Sequence, residues 1–439
     1  MSVIAARLSD VLGADQGFAW STITPTQQQQ IMAALATEQP PSYLALPDTV
    51  EKLAQVMALA TENGWRVLPM GQGSKLSWGG LAEGIDVVVS TARLNQVIDH
   101  AVGDFTVTVE PGLKVADLQR TLAAKGQFLA IDPAFAEQAS VGGVVATADT
   151  GSLRQRYGGL RDMLIGVAFV RYDGEVAKAG GRVVKNVAGY DLMKLMTGAY
   201  GSLGVLSELT FRLYPVQASS RTVVLAGGTD AIGQAATEIR LSGLTPITLD
   251  ILSEGLAQSL AFSAPPAGQV QLRLVARFQG VAAGVDEQTA RLQVIAAVHS
   301  LSCQSLEGSA DDDFWQRSGD LIKPESVLAK VGMRPSTIPA FLTLLSVAVP
   351  GGQARLHGSS GLGWMQLTAQ EDLASKLEAL RSHCQKNGGF LTLLQAPKSL
   401  KQAIEVWGYS GNALGVMREI KQKFDPGRSL SPGRFIGGL

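Results

Sequence analysis

The chain has 439 residues, 46% of them hydrophobic and 17% charged, with a formal net charge of -1. That length exceeds one hydrophobic core and suggests two or three domains, and that composition excludes a disordered chain. A charge this close to balance excludes the broad basic footprint of a nucleic-acid binder.

The N-terminal twenty residues carry Arg7 and Asp10 early and lack the apolar core of a signal peptide. The longest apolar runs, such as residues 338–349, fall far short of a membrane span. A cytoplasmic protein is expected, with no direct membrane insertion and attachment to a membrane only through partners. Residues 1–40 read as a peripheral helical extension, with a helix starting after Thr24-Pro25 and a stop at Pro40-Pro41.

A βαβ pattern follows. Asp48 and Glu51 have the spacing of a capping box, and Val50, Leu53, Val56, Met57 and Ala60 share one helical face that Gly64 terminates. A strand over 65–70 runs directly into the loop Gly71-Gln72-Gly73-Ser74-Lys75. Next come a strand over 106–109, the turn Glu110-Pro111-Gly112, a helix over 115–125 stopped by Gly126, and a short extended piece at 128–131. Residues 139–157 are rich in Gly, Ala, Ser and Thr, which predicts a functional loop rather than a packing element. Strands at 163–172 and 205–213 close the region, the first leading into a turn at Asp173-Gly174.

From 219 to 400 strands alternate with amphipathic helices. Strands are predicted at 222–225, 248–252, 270–277, 326–331, 353–357, 364–368 and 390–394, and helices at 230–242, 284–299, 335–346 and 371–386. The pattern suggests an antiparallel sheet with helices on one side and an internal duplication. The tail, 401–439, carries one helix over 413–424 and then Asp425-Pro426-Gly427 and Pro432-Gly433.

Four stretches point to a ligand. The glycines of 71–75 allow backbone N–H groups to approach a pyrophosphate, with Ser74 adding a hydroxyl donor, although an ordinary glycine-rich turn has the same composition. The loop is neither a Walker A sequence nor GxGxxG. Ser140-Val141-Gly142-Gly143-Val144-Val145-Ala146-Thr147 permits the chain to lie flat on a planar ligand, or to make a tight buried turn. Residues 181–192, containing Lys185-Asn186-Val187-Ala188-Gly189-Tyr190-Asp191-Leu192, mix glycines with polar residues before a short helix. Gly201-Ser202-Leu203-Gly204-Val205-Leu206 then enters a strand, where Gly204 would let a flat ring face the backbone.

Taken together and in this order, these stretches make residues 40–216 resemble the FAD-binding domain of the vanillyl-alcohol oxidase / p-cresol methylhydroxylase (PCMH) superfamily. Val109-Glu110-Pro111-Gly112, Val141-Gly142-Gly143 and the 185–192 string are similar to one branch, the smaller FAD-binding subunits of bacterial glycolate oxidase (glycolate dehydrogenase). Phe424-Asp425-Pro426-Gly427 and Ser431-Pro432-Gly433-Arg434 extend the likeness, which leaves out roughly the first 40 residues.

The resemblance implies an α+β fold with a two-part PCMH-type FAD-binding domain over 41–218. A ferredoxin-like antiparallel-sheet cap over 219–400 would shape the substrate pocket, and 401–439 would return to the FAD domain. Gly71, Gln72, Gly73, Ser74 and Lys75 would hold the FAD pyrophosphate. Ser140, Gly142, Gly143, Ala146 and Thr147 would line the adenosine–pyrophosphate path, and Gly204 and Val205 would touch the isoalloxazine or ribityl chain. No His or Cys lies in 71–75 or 139–160, so the FAD is expected to be non-covalent, with Tyr157 the one doubtful neighbour. The implied reaction is oxidation of glycolate, or another small 2-hydroxy acid, to its oxo acid by hydride transfer to flavin. The implied partners are a larger FAD subunit and an iron–sulfur subunit. A non-catalytic FAD-bearing scaffold, an electron-transfer subunit and a free-standing dehydrogenase of another hydroxy acid or alcohol are the alternatives.

Catalytic residues are not evident. The four histidines, His100, His299, His357 and His383, are scattered, and no metal site is expected. His357 follows a strand beside Arg355 in a Gly/Ser-rich setting, compatible with a base near the flavin or with a partly exposed structural histidine. Arg355 and Arg334 are candidates to clamp a carboxylate, or are surface arginines. Trp364 and Trp407 suit core packing or a place over a flavin. Asp311-Asp312-Asp313 reads as a solvated helix N-terminus. Cys303 and Cys384 read as free buried thiols, too few to hold an iron–sulfur cluster.

Overall fold

The computed structural model describes residues 3–13, 15–182, 189–262 and 270–439. The chain divides into two compact units, one of Met1–Thr150, Gly159–Pro215 and Ser410–Leu439, the other of Gly151–Gly158 and Val216–Tyr409.

The first unit contains two main sheets. In one, β1 (Gly17–Ala19) pairs antiparallel with β2 (Tyr43–Ala45), while β2 and β3 (Val67–Met70) both run parallel to β4 (Val87–Ser90). The helix Val50–Glu62 makes the β2-to-β3 crossover and buries Leu53, Val56, Met57 and Ala60. Its cap is Thr49, whose hydroxyl accepts from the Lys52 N–H, one residue later than the predicted box. Asp48 instead forms an ion pair with Lys52 at 2.9 Å. Val67, Val87 and Val89 face that helix, and Leu44, Leu68 and Val88 face a second core, so the sheet is covered on both sides. Such strands read as unbroken apolar runs rather than alternating ones.

The second sheet uses β5 (Val97–Ala101), β6 (Thr106–Val109), β8 (Leu164–Val170), β9 (Val176–Gly180) and β10 (Val205–Arg212), in the order β5-β6-β10-β8-β9 and antiparallel throughout. A small pair joins β7 (Gln127–Phe128) to β11 (Tyr214–Pro215).

The first forty residues do not stand apart as the sequence suggested. β1 extends the first sheet, Leu8 and Leu12 enter the core with Leu53, and Ile31 and Leu35 enter the core with Leu68. The C-terminal segment also joins this unit, where the Val67 N–H donates to the Ser429 carbonyl and the Ser431 N–H to the Val67 carbonyl. Asp425, fully buried, accepts from Lys421 Nζ and from the Ser429 and Leu430 N–H groups, which fixes the turn after the last helix.

The second unit is one eight-stranded antiparallel sheet: β12 (Ser219–Gly228), β13 (Thr248–Leu252), β14 (Gln271–Gly280), β15 (Ser302–Glu307), β16 (Val327–Gly332), β17 (Gln353–His357), β18 (Leu362–Leu367) and β19 (Phe390–Gln395). Its order is β15-β12-β14-β13-β17-β18-β16-β19. The expected duplication is present as topology. Each half runs βαββαβ, with helices Thr229–Leu241 and Ala282–Val298 in the first and Ile338–Ala348 and Leu373–Lys386 in the second. The halves meet where β13 pairs with β17. Leu249, Ile251, Leu274, Leu356 and Met365 point into the helix-covered core. By the two-residue period of a strand, Asp250, Arg273, Arg355, His357 and Trp364 therefore share the opposite face.

Three expectations need correction here. β15 escaped prediction because it is a solvated edge strand with almost no buried position to set a period. It also leaves Cys303 exposed, whereas Cys384 is buried as expected. Asp311 is not a solvated acid at a helix end: it is 1% exposed, accepts from Thr222 and Ser220, and pairs with Arg277 at 2.7 Å. Its neighbours Asp312 and Asp313 are exposed. Of the 181–192 string, residues 183–188, which include Lys185, Asn186, Val187 and Ala188, lie outside the described residues. No helix among the described residues is long and apolar enough to cross a membrane.

Candidate active site

Residues 71–75 leave the carboxyl end of β3, where the parallel strands end. Loops at that end are the usual binding position in sheets of this kind. The neighbouring strand holds the loop: the Ser90 hydroxyl donates to the Gly71 carbonyl and the Thr91 N–H to the Met70 carbonyl. Gly73 has φ +85°, a left-handed conformation that favours glycine.

Residues 139–157, read as loop, begin with a helix, Val141–Thr147. Its two glycines and four β-branched residues give it little intrinsic helicity. The Ser140 hydroxyl caps it by accepting from the Gly143 N–H, and the fully buried Val141, Val144 and Val145 hold it by packing. The turn Glu110-Pro111-Gly112 positions its start, with the Gly142 N–H donating to the Pro111 carbonyl and the Val141 N–H to the Leu113 carbonyl. The two glycine-bearing segments touch. A Cβ on Gly71 would lie 2.0 Å from the Ser140 hydroxyl, and one on Gly142 would lie 2.6 Å from the Pro111 side chain. The segment 198–206 is tied to the far end of the same helix through Gly198 and Tyr200 N–H bonds to the Val145 and Ala146 carbonyls.

These segments line a cleft open to solvent. Gly71, Gly73, Ser74, Lys75, Ser140, Gly142, Gly143, Ala146, Thr147, Gly204 and Val205 all line it. Gln72 is the predicted residue that does not; its amide donates to the Gly112 carbonyl at 3.1 Å and braces the loop. Gly204 also has a packing reason to be glycine, since a Cβ there would meet the Phe169 ring at 2.8 Å.

The charges are arranged differently from the sequence reading. Lys75 is buried, donates to the Ala134 carbonyl at 2.6 Å, pairs with Asp149 at 3.4 Å, and sits over the rings of Trp78 and Phe135. Burial pushes its pKa down and Asp149 opposes that shift, so its charge is already matched within the protein. The cation with unused capacity is Arg434. Its terminal nitrogens donate to the Leu76 and Trp78 carbonyls at 2.8 Å, while its buried Nε–H has no partner among the described residues. Burial lowers its pKa to about 10, so it stays charged at neutral pH. Burial also pushes the Tyr200 phenol up, with the Arg434 charge opposing, so the hydroxyl stays protonated.

A glycine-rich lining in which Gly71 and Gly142 admit no Cβ, beside an unsatisfied buried guanidinium, suits a flat, anionic group such as a dinucleotide. An unmade buried hydrogen bond is costly enough that ligand contact is its natural explanation.

In the second unit the predicted catalytic candidates separate. His357 is 3% exposed, not half-solvated, and its Nδ1 lies 2.7 Å from Asp250 Oδ1. The Ser152 hydroxyl donates to the other Asp250 oxygen at 2.5 Å. Arg355, two residues before His357 on the same face, is buried, donates to Ser318, and sits over Trp315 and Trp364. Arg334 is exposed beyond the end of β16 and joins neither group. Trp364 thus packs on a guanidinium, and Trp407 packs against the helix-covered core. No cluster of metal-ligating side chains occurs among the described residues.

Comparisons with known proteins agree with this geometry. Residues 41–180 match the family described as FAD binding domain. The chain is 24% identical over 425 residues to glycolate oxidase subunit GlcD of Bacillus subtilis, with 90% of each chain covered. It is 28% identical over 431 residues to D-2-hydroxyglutarate dehydrogenase of Xanthomonas citri, covering 90% of this chain and 89% of that one. The solved structure of p-cresol methylhydroxylase with substrate bound superposes with a TM-score of 0.77 at 16% identity, covering 98% of this chain and 96% of that one. The chain is an FAD-linked oxidoreductase. Its fold is that of the PCMH-type flavoproteins.

Several residues of the cleft and of the buried pair in the second unit had no clear signal in the sequence. Arg434 stood in the C-terminal motif, but nothing placed it 358 residues from its partner Leu76. Asp250 had a signal that was passed over: it is the lone charge in a strand, Thr248–Leu252, in which every residue is buried. Tyr200 and Asp149 carried none.

Proposed function

We propose that the cleft of the first unit holds FAD non-covalently, and that the protein oxidises a small 2-hydroxy acid, glycolate first among them, to the 2-oxo acid. The observation that carries the cofactor assignment is the meeting of Gly71, Ser140 and Gly142 with the unsatisfied Nε–H of Arg434 in one lining. The glycines let backbone N–H groups reach the pyrophosphate, Ser74 adds a donor, and Arg434 supplies the compensating charge. Lys75, spent on Asp149, fixes the loop instead. Ala146, Thr147, Gly204 and Val205 form the small-residue walls. FAD, when bound, supplies the acceptor for the hydride, and with it the two electrons, of the alcohol carbon. No His or Cys lines the cleft among the described residues, which supports non-covalent binding. The hydroxy-acid substrate is supported by the relatives named for glycolate and D-2-hydroxyglutarate.

The relative named as a glycolate oxidase subunit supports a multi-subunit enzyme, in which a larger FAD subunit and an iron–sulfur subunit would complete the electron path. The two cysteines of this chain are too few to hold a cluster themselves. Any membrane attachment would run through those partners.

Acid precipitation of the purified yellow protein tests the cofactor assignment: all the flavin should appear in the supernatant as FAD. Arg434→Met should weaken FAD binding by about a hundredfold, the loss of one charge-assisted contact of roughly 3 kcal/mol. Flavin retained in the protein pellet, or undiminished affinity in the variant, would remove the respective half of this reading.

A further inference from the structure

We propose that the edge strand β15 pairs antiparallel with β15 of a second copy of this chain, joining two second units into one sheet about a two-fold axis. The backbone is the starting point. β15 pairs with β12 on one side, and among the described residues no strand or loop backbone bonds to its other side. The outward N–H and C=O groups of such an edge form a template for another strand. The opposite edge of the same sheet, β19, is closed. The Leu393 N–H donates to the Val406 carbonyl, the Leu391 carbonyl accepts from Arg381 at 3.1 Å, and a Cβ on Gly408 would lie 2.5 Å from that carbonyl.

Open edges invite aggregation, so chains blunt them with short strands, bulges, lysine or proline. The first unit does this. β1 has three residues, β7 and β11 have two each, β5 breaks register between Val97 and Asp99, β9 carries Lys178, and the backbone at 429–431 covers β3. β15 uses none of these devices. It runs for six residues, Ser302-Cys303-Gln304-Ser305-Leu306-Glu307, in unbroken register with β12, and it contains no lysine, arginine or proline. All of its side chains but Leu306 are exposed.

Two observations select a second copy as the occupant. The first is closure. With β19 covered, copies cannot add head to tail along the sheet, which leaves β15 against β15, a two-fold contact that ends at the dimer. The second is charge. Cys303, Ser305 and Glu307 share a face with Leu225, Val223 and Arg221. Directly opposed residues lie on the same face, so a two-fold pairing centres on Gln304 or Ser305. Glu307, the one charge on the strand, pairs with Arg221 at 2.9 Å, and Arg221 also holds Asp286 at 2.8 Å. In either register the two Glu307 positions stand roughly 13–20 Å apart, beyond the ~10 Å range of exposed charges in salt. Asp286 marks the side of the helix Ala282–Val298 above this edge, and the same side carries Ala290, Gln293 and Ala297, all exposed and uncharged. The strand and this side of the helix therefore bring no like charges together.

A six-residue edge buries little surface, so the dimer should form in the micromolar range. Sedimentation velocity of the FAD-loaded chain, from about 1 to 100 µM, reads it directly. The expected result is a reversible shift from the 46.1 kDa monomer to twice that mass. Gln304→Lys and Ser305→Lys, on opposite faces of the strand, each set an ammonium near its own copy across the axis. Each should raise the dimer dissociation constant at least about tenfold. Both side chains are exposed, so the flavin spectrum and FAD content should not change.

Cys303 reports the geometry. The other cysteine, Cys384, is buried, so a bismaleimide of roughly 13 Å span should couple Cys303 to Cys303 of the second copy, and Cys303→Ser should give no covalent dimer. A chain that stays monomeric over the whole range overturns the proposal, even if another subunit binds the edge. A dimer that both lysine variants leave unchanged, or one that does not couple through Cys303, has its interface elsewhere and overturns it as well.

Discussion

Gly71 shows how one side chain's absence builds the cofactor site. Its Cα sits where a methyl group would lie 2.0 Å from the Ser140 hydroxyl, so the loop after β3 and the cap of the Val141–Thr147 helix can meet only through glycine. Gly71→Ala must push the two apart and loosen the Ser140 cap, at a cost of about 1–3 kcal/mol. FAD affinity should fall by about ten- to a hundredfold in an equilibrium titration. Unchanged affinity would mean that the loop and the helix do not act together on the ligand. Gly73 matters for a different reason: a Cβ there meets nothing closer than 3.4 Å, but its φ of +85° strains any side chain. The sequence singled out both glycines. It could not tell contact from conformation, because that distinction belongs to a partner, Ser140, almost seventy residues away.

At the scale of elements, strands and amphipathic helices were the legible part. Four helices of the second unit and seven of its strands carry apolar periods that packing then uses. What failed were elements whose stability is tertiary. The Val141–Thr147 helix looks like a loop by composition, and β15 lacks a buried face. Asp311 failed for a related reason. A run of three acids resembles a solvated helix start, yet only Asp311 turns inward, onto Arg277, Ser220 and Thr222, and so fastens the helix Ser309–Gly319 to β12 and β14. Removing one partner of such a buried pair strands the other. Asp311→Ala should destabilise the protein by about 3–5 kcal/mol, whereas Asp312→Ala, whose carboxylate is 80% exposed, should cost under about 1 kcal/mol. Denaturant titration of the two variants decides this, and equal midpoints would contradict the structural reading of the acidic run.

For the molecule as a whole, the chain carries a glycine-lined cleft in its first unit and a duplicated βαββαβ sheet in its second. The cofactor side was legible because glycine-rich loops have a local signature. The buried Asp250–His357 pair of the second unit was not, because His357 meets Asp250, 107 residues away, and Asp250 meets Ser152, a further 98 residues up the chain, only in the folded protein. A pairing of that kind exists only once the sheet is assembled. The most direct test of the account is an anaerobic visible spectrum of the FAD-loaded chain, before and after glycolate, D-lactate or D-2-hydroxyglutarate. A flavin band that bleaches with at least one of the acids is the predicted result. A chain that takes up no FAD, or a bound flavin that stays oxidised with all three acids even when the partner subunits are supplied, would contradict it.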